Sequence, residues 1–279
     1  MKQLLFVLAL AFSGLNAGTS VPPPMGTLVI VGGGGMPQDI MDAFLQAAGG
    51  RGGMVGIIPT STEDPEGAIK EWRQDLDKAG LTLVAIDVRT REQSSLPENL
   101  DKARSCTGFW FSGGDQNRVG DKIVGTPLHR VIRERYEAGA VIGGTSAGAA
   151  IMSKLMLTGE DRNGIESLSE FGPGAYRTRE GMGFLPERVV VDQHFLRRNR
   201  ENRLFSLIMD HPDYLGLGID EATALVVKGG IAVVAGKRSV MVFDPSDMVA
   251  NGTSFRDLRI HVLCPGQSID LATRKVSKP

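Results

Sequence analysis

Short β-branched and aliphatic runs alternate along this chain with stretches whose apolar residues recur at helical spacing. Thr27-Leu28-Val29-Ile30-Val31 carries no charge and is closed by Gly32-Gly33-Gly34-Gly35, the pattern of a buried strand entering a tight loop. Asp39 to Ala48 has helix-spaced apolar residues and is stopped by Gly49-Gly50. The cycle repeats: Met54 to Ile58 as strand, Ala68 to Ala79 as helix, Leu81 to Val88 as strand, Gly108 to Phe111 as strand, and a helix from about Thr126 to Ala138. Such alternation predicts a mostly parallel sheet covered on both faces. The last third changes rhythm. There Ala224 to Val227 and Ile231 to Ala235 flank Lys228-Gly229-Gly230 as a hairpin.

The sharpest local motif is Gly144-Thr145-Ser146-Ala147-Gly148, a G-x-S-x-G between the apolar Val141-Ile142 and a run of small residues that can open a helix. An abrupt strand-to-helix turn forces its central residue into a strained conformation and needs small neighbours. Ser146 is therefore the candidate nucleophile, and a serine hydroxyl attacks well only when a base removes its proton. Of the four histidines, His129 falls within the Thr126–Ala138 helix, His211 precedes a proline, and His261 lies on a late strand without useful polar neighbours. His194 directly follows Val189-Val190-Val191-Asp192-Gln193, at a strand end where open α/β sheets gather their sites. It is the expected base.

A carboxylate should orient that imidazole. Glu160, Asp161 and Glu166 all follow Leu155-Met156-Leu157, and Glu160 is preferred because it comes first after that strand. The amide of Ala147 and one from Gly113-Gly114, with Gly114 favoured, would form the oxyanion hole. Arg197, Arg198, Arg200 and Arg203 crowd the residues after His194, and guanidinium forks beside a scissile bond suit an acid-rich peptide.

Composition narrows this picture. The chain has 279 residues, with 31 basic and 32 acidic side chains and a formal net charge of −1. No global field would gather nucleic acid or an anionic membrane. One large domain spanning 27–279 is expected. Met1-Lys2-Gln3 and the apolar Leu4 to Phe12 read as a secretory signal peptide, 1–17, followed by a linker, 18–26, so the mature chain is expected in the periplasm or outside the cell with no membrane segment. Cys106 and Cys264 could pair there, although the apolar setting of Cys106 equally suits a buried thiol. Neither histidines nor cysteines have ligand-like spacing, so no metal is expected, and acyl transfer to water needs no cofactor. A phosphate- or nucleotide-binding role for Gly32 to Gly35 is the rival of another class, but Pro37 breaks the G-x-G-x-x-G spacing and no G-K-[ST] follows.

Taken together, Gly113-Gly114-Asp115-Gln116, Gly144 to Ala149, Asp192-Gln193-His194-Phe195, Arg198-Asn199-Arg200 with Arg203, and Gly218-Ile219-Asp220-Glu221 resemble the cyanophycinases in order and spacing over nearly the whole mature chain. The resemblance implies a serine peptidase with a flavodoxin-like, three-layer αβα sandwich related to class I glutamine amidotransferases, and a homodimer. It implies Ser146 as nucleophile and His194 as base, with Gln116, Asp192, Gln193, Arg198, Arg200 and Arg203 binding substrate, the arginines holding aspartate carboxylates. The implied substrate is cyanophycin, a polyaspartate whose β-carboxylates carry arginine, released as β-aspartyl-arginine. An aspartyl or isoaspartyl dipeptidase-like exopeptidase is the alternative within the same resemblance. The Thr158–Arg179 stretch looks longer than in the familiar enzymes, and the four-glycine loop differs from theirs.

Overall fold

The computed structural model describes residues 25–165 and 169–277. The expected signal peptide, linker residues 18–24 and Glu166 lie outside the described residues.

The first half runs β1 (Thr27–Val31), α1 (Gln38–Ala47), β2 (Met54–Ile58), α2 (Pro65–Ala79), β3 (Thr82–Ala85), a 3₁₀ turn at Glu92–Ser95, α3 (Pro97–Ser105), β4 (Gly108–Phe111), α4 (Gln116–Lys122), α5 (Pro127–Glu137), β5 (Val141–Thr145) and α6 (Ala147–Ala150). The second is β6 (Leu155–Asp161), β7 (Tyr176–Glu180), β8 (Val189–Gln193), α7 (Glu201–Asp210), β9 (Leu215–Ile219), β10 (Thr223–Lys228), β11 (Ile231–Gly236), β12 (Val240–Asp244), β13 (Val249–Asn251), β14 (Ser254–Arg256), β15 (Arg259–Leu263) and β16 (Ser268–Asp270).

An eight-stranded sheet has the order β16-β11-β10-β1-β5-β4-β2-β3. Its β1, β5, β4, β2 and β3 run parallel, as the strand–helix alternation predicts. The β10–β11 hairpin adds antiparallel strands beside β1. Every residue of β1 is buried because strands pair on both of its sides and both faces are covered. On one face Phe44 from α1 packs edge-on against Trp72 from α2 and Trp110 from β4, and the two indoles lie tilted against each other, with ring centroids 4.5–5.2 Å apart. Helix α2 starts earlier than its apolar spacing suggests because Asp64 accepts a cap hydrogen bond from the Gly67 N–H at 2.9 Å and Pro65 occupies the first turn. The strand expected over Leu81 to Val88 is shorter as β3, an edge strand whose bonding to β2 ends with the Ile86 N–H donating to the Ile57 carbonyl at 3.0 Å.

The layering departs from a simple helix–sheet–helix sandwich. A separate four-stranded sheet, β15-β12-β9-β8, takes part of the second face, and only β8 and β9 in it are parallel. One apolar cluster joins Leu28, Ile142 and Leu225 of the large sheet to Val191, Leu217 and Val242 of the small one, and reaches Leu128 and Ile132 of α5. Helix α7 covers the far side of the small sheet, where Leu204 and Ile208 pack with Val190, Phe195 and Phe243. The strand leading to His194 is the edge strand of this second sheet, and Val189–Gln193 is buried throughout because Val189 and Val191 pack into the cluster between the sheets, Val190 packs with α7, and the Val191 N–H donates to Ser153 Oγ at 2.8 Å.

Candidate active site

Strand β5 delivers Ser146. Its last residues pair with β1 and β4, and the Ser146 N–H donates to the Val31 carbonyl at 3.0 Å before α6 begins at Ala147. Ser146 sits at φ 54°, ψ −110°, the strained elbow expected of its motif. The flanking glycines are demanded by close backbone packing: a Cβ on Gly144 would collide with the Gly148 backbone, and one on Gly148 with the Phe111 carbonyl.

The small sheet supplies the rest of the chain of groups. His194 follows β8 at φ 50°, and its N–H donates to the Gly32 carbonyl at 2.6 Å. Its Nε2 lies 2.9 Å from Ser146 Oγ and its Nδ1 lies 2.7 Å from Glu221 Oε1. Glu221 follows β9, which runs parallel beside β8 with Gln193 opposite Ile219. An ionised carboxylate only accepts, so Nδ1 carries the hydrogen and the Nε2 lone pair is left facing the serine hydroxyl. Burial holds the His194 pKa below the usual imidazole value, the Glu221 hydrogen bond pulls upward, and the charges of Arg198 and Arg200 push down again. The neutral, proton-accepting form is the one favoured.

Glu160 does not orient this histidine. It forms a loose ion pair with Arg177 at 3.5 Å, and its place beside the imidazole is taken by Glu221. The reason is topological: β6 leaves the site in a hairpin with β7, whereas β9 ends next to β8. Asp161 is buried and accepts from the Asn163 and Ile165 amides, closing a local turn.

Ser146 opens on a cavity of about 320 Å³ whose lining includes Gly114, Gln116, Gln193, Arg198, Arg200 and Arg203. Ala147 is the first residue of α6, so its N–H has no intrahelical acceptor. Gly114, at φ 132°, takes a conformation that its close approach to the Ser61 backbone leaves to glycine. Gln116 donates from Nε2 to the Leu157 and Thr158 carbonyls at 3.0 and 2.8 Å. Arg200 donates from Nη1 to the Gln193 carbonyl at 2.8 Å and to Gln193 Oε1 at 2.6 Å. Arg198 is exposed at the cavity.

Asp192 stands apart from the other residues expected to touch substrate. It is 1% exposed and is not part of the cavity lining. Its carboxylate receives Arg203 Nε at 2.9 Å and Nη2 at 2.5 Å, as well as the Gln193 N–H at 2.8 Å. Asp192 therefore holds Arg203 in place. Arg203 Nη1, equally buried, has no hydrogen-bond partner among the described residues and belongs to a side chain that lines the cavity.

Residues 28–234 match peptidase family S51. The chain belongs to peptidase family S51. It is 35% identical over 251 residues to the cyanophycinase of Synechococcus elongatus, which covers 86% of this chain and 76% of that protein. The cyanophycinase of Trichormus variabilis is 33% identical over 271 residues, 91% of this chain and 89% of its own length. Among solved structures, a peptidase from an acI-B1 actinobacterium superposes with a TM-score of 0.69 at 25% identity, covering 88% of this chain and 97% of its own. This S51 chain is accordingly a serine-type peptidase.

In the peptidase the first glycine loop is a bed for the imidazole. A methyl on Gly33 would overlap Cε1, Nε2 and Nδ1 of His194, and one on Gly34 would press on the Glu221 side chain. Two of the loop's four glycines are thus taken up in seating the histidine and its carboxylate. Gly33→Ala is expected to lower kcat by about a hundredfold while the fold is kept, because a ring displaced by about an ångström loses its alignment with the hydroxyl. Steady-state kinetics beside a circular dichroism spectrum checks it. A wild-type kcat would show that the ring does not depend on this bed.

The remaining candidates are structural. His129 bonds the Gly125 amide and the Met182 carbonyl, and burial lowers its pKa. Cys106 and Cys264 do not pair; burial raises the Cys106 thiol to about 11. Among the described residues no group of three or more His, Cys, Asp or Glu side chains could hold a metal ion, and no helix is long and apolar enough to cross a membrane.

Proposed function

We propose that this S51 peptidase degrades cyanophycin, multi-L-arginyl-poly-L-aspartate, through an acyl-enzyme, releasing β-aspartyl-arginine. The observation that carries the reading is the unbroken run Glu221–His194–Ser146 at 2.7 and 2.9 Å beside an arginine-lined cavity, in a chain whose curated relatives are cyanophycinases. Ser146 Oγ attacks the carbonyl following an aspartate as His194 Nε2 takes its proton. The amides of Ala147 and Gly114 receive the developing oxyanion charge. The imidazolium returns the proton to the leaving amine, and water, deprotonated by the same Nε2, then hydrolyses the ester. Glu221 fixes the tautomer throughout and stabilises the imidazolium. Secretion, with residues 1–17 as signal peptide, and a homodimeric state belong to the same reading.

Purified mature protein incubated with insoluble cyanophycin is expected to clear the suspension and release β-aspartyl-arginine, identified by mass. Cleavage of short aspartyl peptides without clearing would instead assign a dipeptidase-type exopeptidase.

The acid limb of kcat/KM should fall below about pH 6.5, the ordinary imidazole value, since Nε2 must be unprotonated to act and burial with two nearby guanidinium charges favours that form. Arg198→Ala removes one of those charges and should move the limb upward. A wild-type limb above pH 6.5 would mean that the Glu221 hydrogen bond outweighs burial and the guanidinium charges, whereas a profile flat from weakly acidic to neutral pH would contradict the role assigned to His194.

A further inference from the structure

The cavity beside Ser146 is not uniformly basic. Asp115 and Glu160 line it together with Arg198, Arg200 and Arg203, so it presents both signs of charge. A purely acidic peptide would gain from the arginines and be repelled by these two carboxylates. The basic part carries a specific vacancy: buried Arg203 Nη1 lacks an acceptor among the described residues, and an unsatisfied buried donor in a cavity wall calls for an acceptor from the ligand. Glu160 lies where the cavity meets a second, open cleft of about 640 Å³, which shares Asp115, Asn117, Thr158 and Glu160 with it and continues to Arg177 and Arg179. Its carboxylate is about two-fifths exposed and, among the described residues, pairs with the Arg177 guanidinium at 3.5 Å. Such a pair contributes little in water. It shows, however, that a guanidinium reaches this carboxylate from the cleft side.

We propose that the cavity is built for a zwitterionic side arm: Arg203 takes a carboxylate and Glu160, assisted by Asp115, takes a guanidinium, displacing Arg177. The inference rests on the proposed function and refines it. In arginyl-polyaspartate each internal aspartate spends its α-carboxyl in the backbone and its β-carboxyl in the bond to arginine, so the carboxylates left for Arg203 are those of the arginyl groups. The same groups bring one guanidinium each. Glu160 thus becomes a specificity residue for the arm, with no part in orienting His194. Asp115 is the lesser partner, since its Oδ1 already caps α4 through the Asn117 N–H at 2.8 Å.

The test compares soluble polyaspartyl oligomers bearing arginyl arms with oligomers bearing citrullyl arms, which keep the shape and lose the charge. Wild type is expected to favour the arginyl oligomer in kcat/KM by about 10- to 100-fold, the range of a charge-assisted hydrogen bond. Glu160→Gln should collapse that ratio towards one by losing activity on the arginyl oligomer alone. In the Ser146→Ala background, calorimetry should show the same loss of discrimination in affinity for E160Q. A full wild-type ratio in E160Q, or a wild type indifferent to the arm's charge, overturns the inference while leaving the peptidase reading intact. Cleavage of neither oligomer overturns the proposed function itself. A thermal melt of E160Q matching wild type excludes misfolding, as expected for a side chain this exposed.

Discussion

Ser146→Ala is expected to reduce turnover about 10⁴-fold or more while leaving substrate affinity nearly unaltered, because it deletes the attacking atom and touches none of the charged groups that hold the substrate. Glu221→Ala should cost about 10³- to 10⁴-fold in kcat, since the imidazole then loses the partner that keeps its hydrogen on Nδ1, 2.7 Å away. The two losses should not add: groups acting as one unit fail together, and the double variant is expected near the Ser146→Ala level. Single-turnover kinetics with a soluble aspartyl-arginine oligomer, beside binding to the same oligomer, separates the two effects. Ser146→Ala with wild-type turnover would remove the nucleophile from the scheme. A Glu221→Ala enzyme with normal kcat at saturating substrate would return the orienting role to some other group.

The second large effect is on stability. Asp192→Ala should destabilise the fold by about 3–5 kcal/mol, because it leaves the Arg203 guanidinium buried without its counter-charge. That corresponds to a fall in Tm on the order of 10 °C. Asp192→Asn keeps an acceptor in place and should cost less. Thermal and denaturant melts of the three proteins measure this. A fully stable Asp192→Ala enzyme whose only defect is a raised KM would instead make Asp192 the substrate contact that the family resemblance implied.

Much of this site was legible in the chain because its strongest determinants are local. The elbow at Ser146 is written in five consecutive residues, and the small-residue demand at Gly144 and Gly148 comes from backbone contacts that sequence spacing already encodes. His194 was reachable by elimination among four histidines and by its place at a strand end. The acid was not. Glu160 and Glu221 both follow apolar strands, so position after a strand could not choose between them; the choice lies in β9 pairing beside β8, a non-local fact. The same limit hid the second sheet, whose strands read individually like those of the first. Helices α3 and α4 were missed for a different reason. Both are short and polar, and each is set by its start, with Pro97 in the first turn of one and Asp115 capping the other. Asp192 and Arg203 looked alike as charged residues near a base; only their burial against each other distinguishes a holder from a hand.

The hydroxyl belongs to one sheet, while the imidazole and its carboxylate belong to another. Attacking atom and proton acceptor are therefore aligned across a seam of apolar packing that is tied at one place, where the Ser146 and His194 N–H groups donate to the consecutive Val31 and Gly32 carbonyls. Their alignment works like a vernier between two scales. A slip of the sheets too small to expose the core would still carry Nε2 out of reach of the serine, so competence should be lost earlier in any loosening of this molecule than its secondary structure.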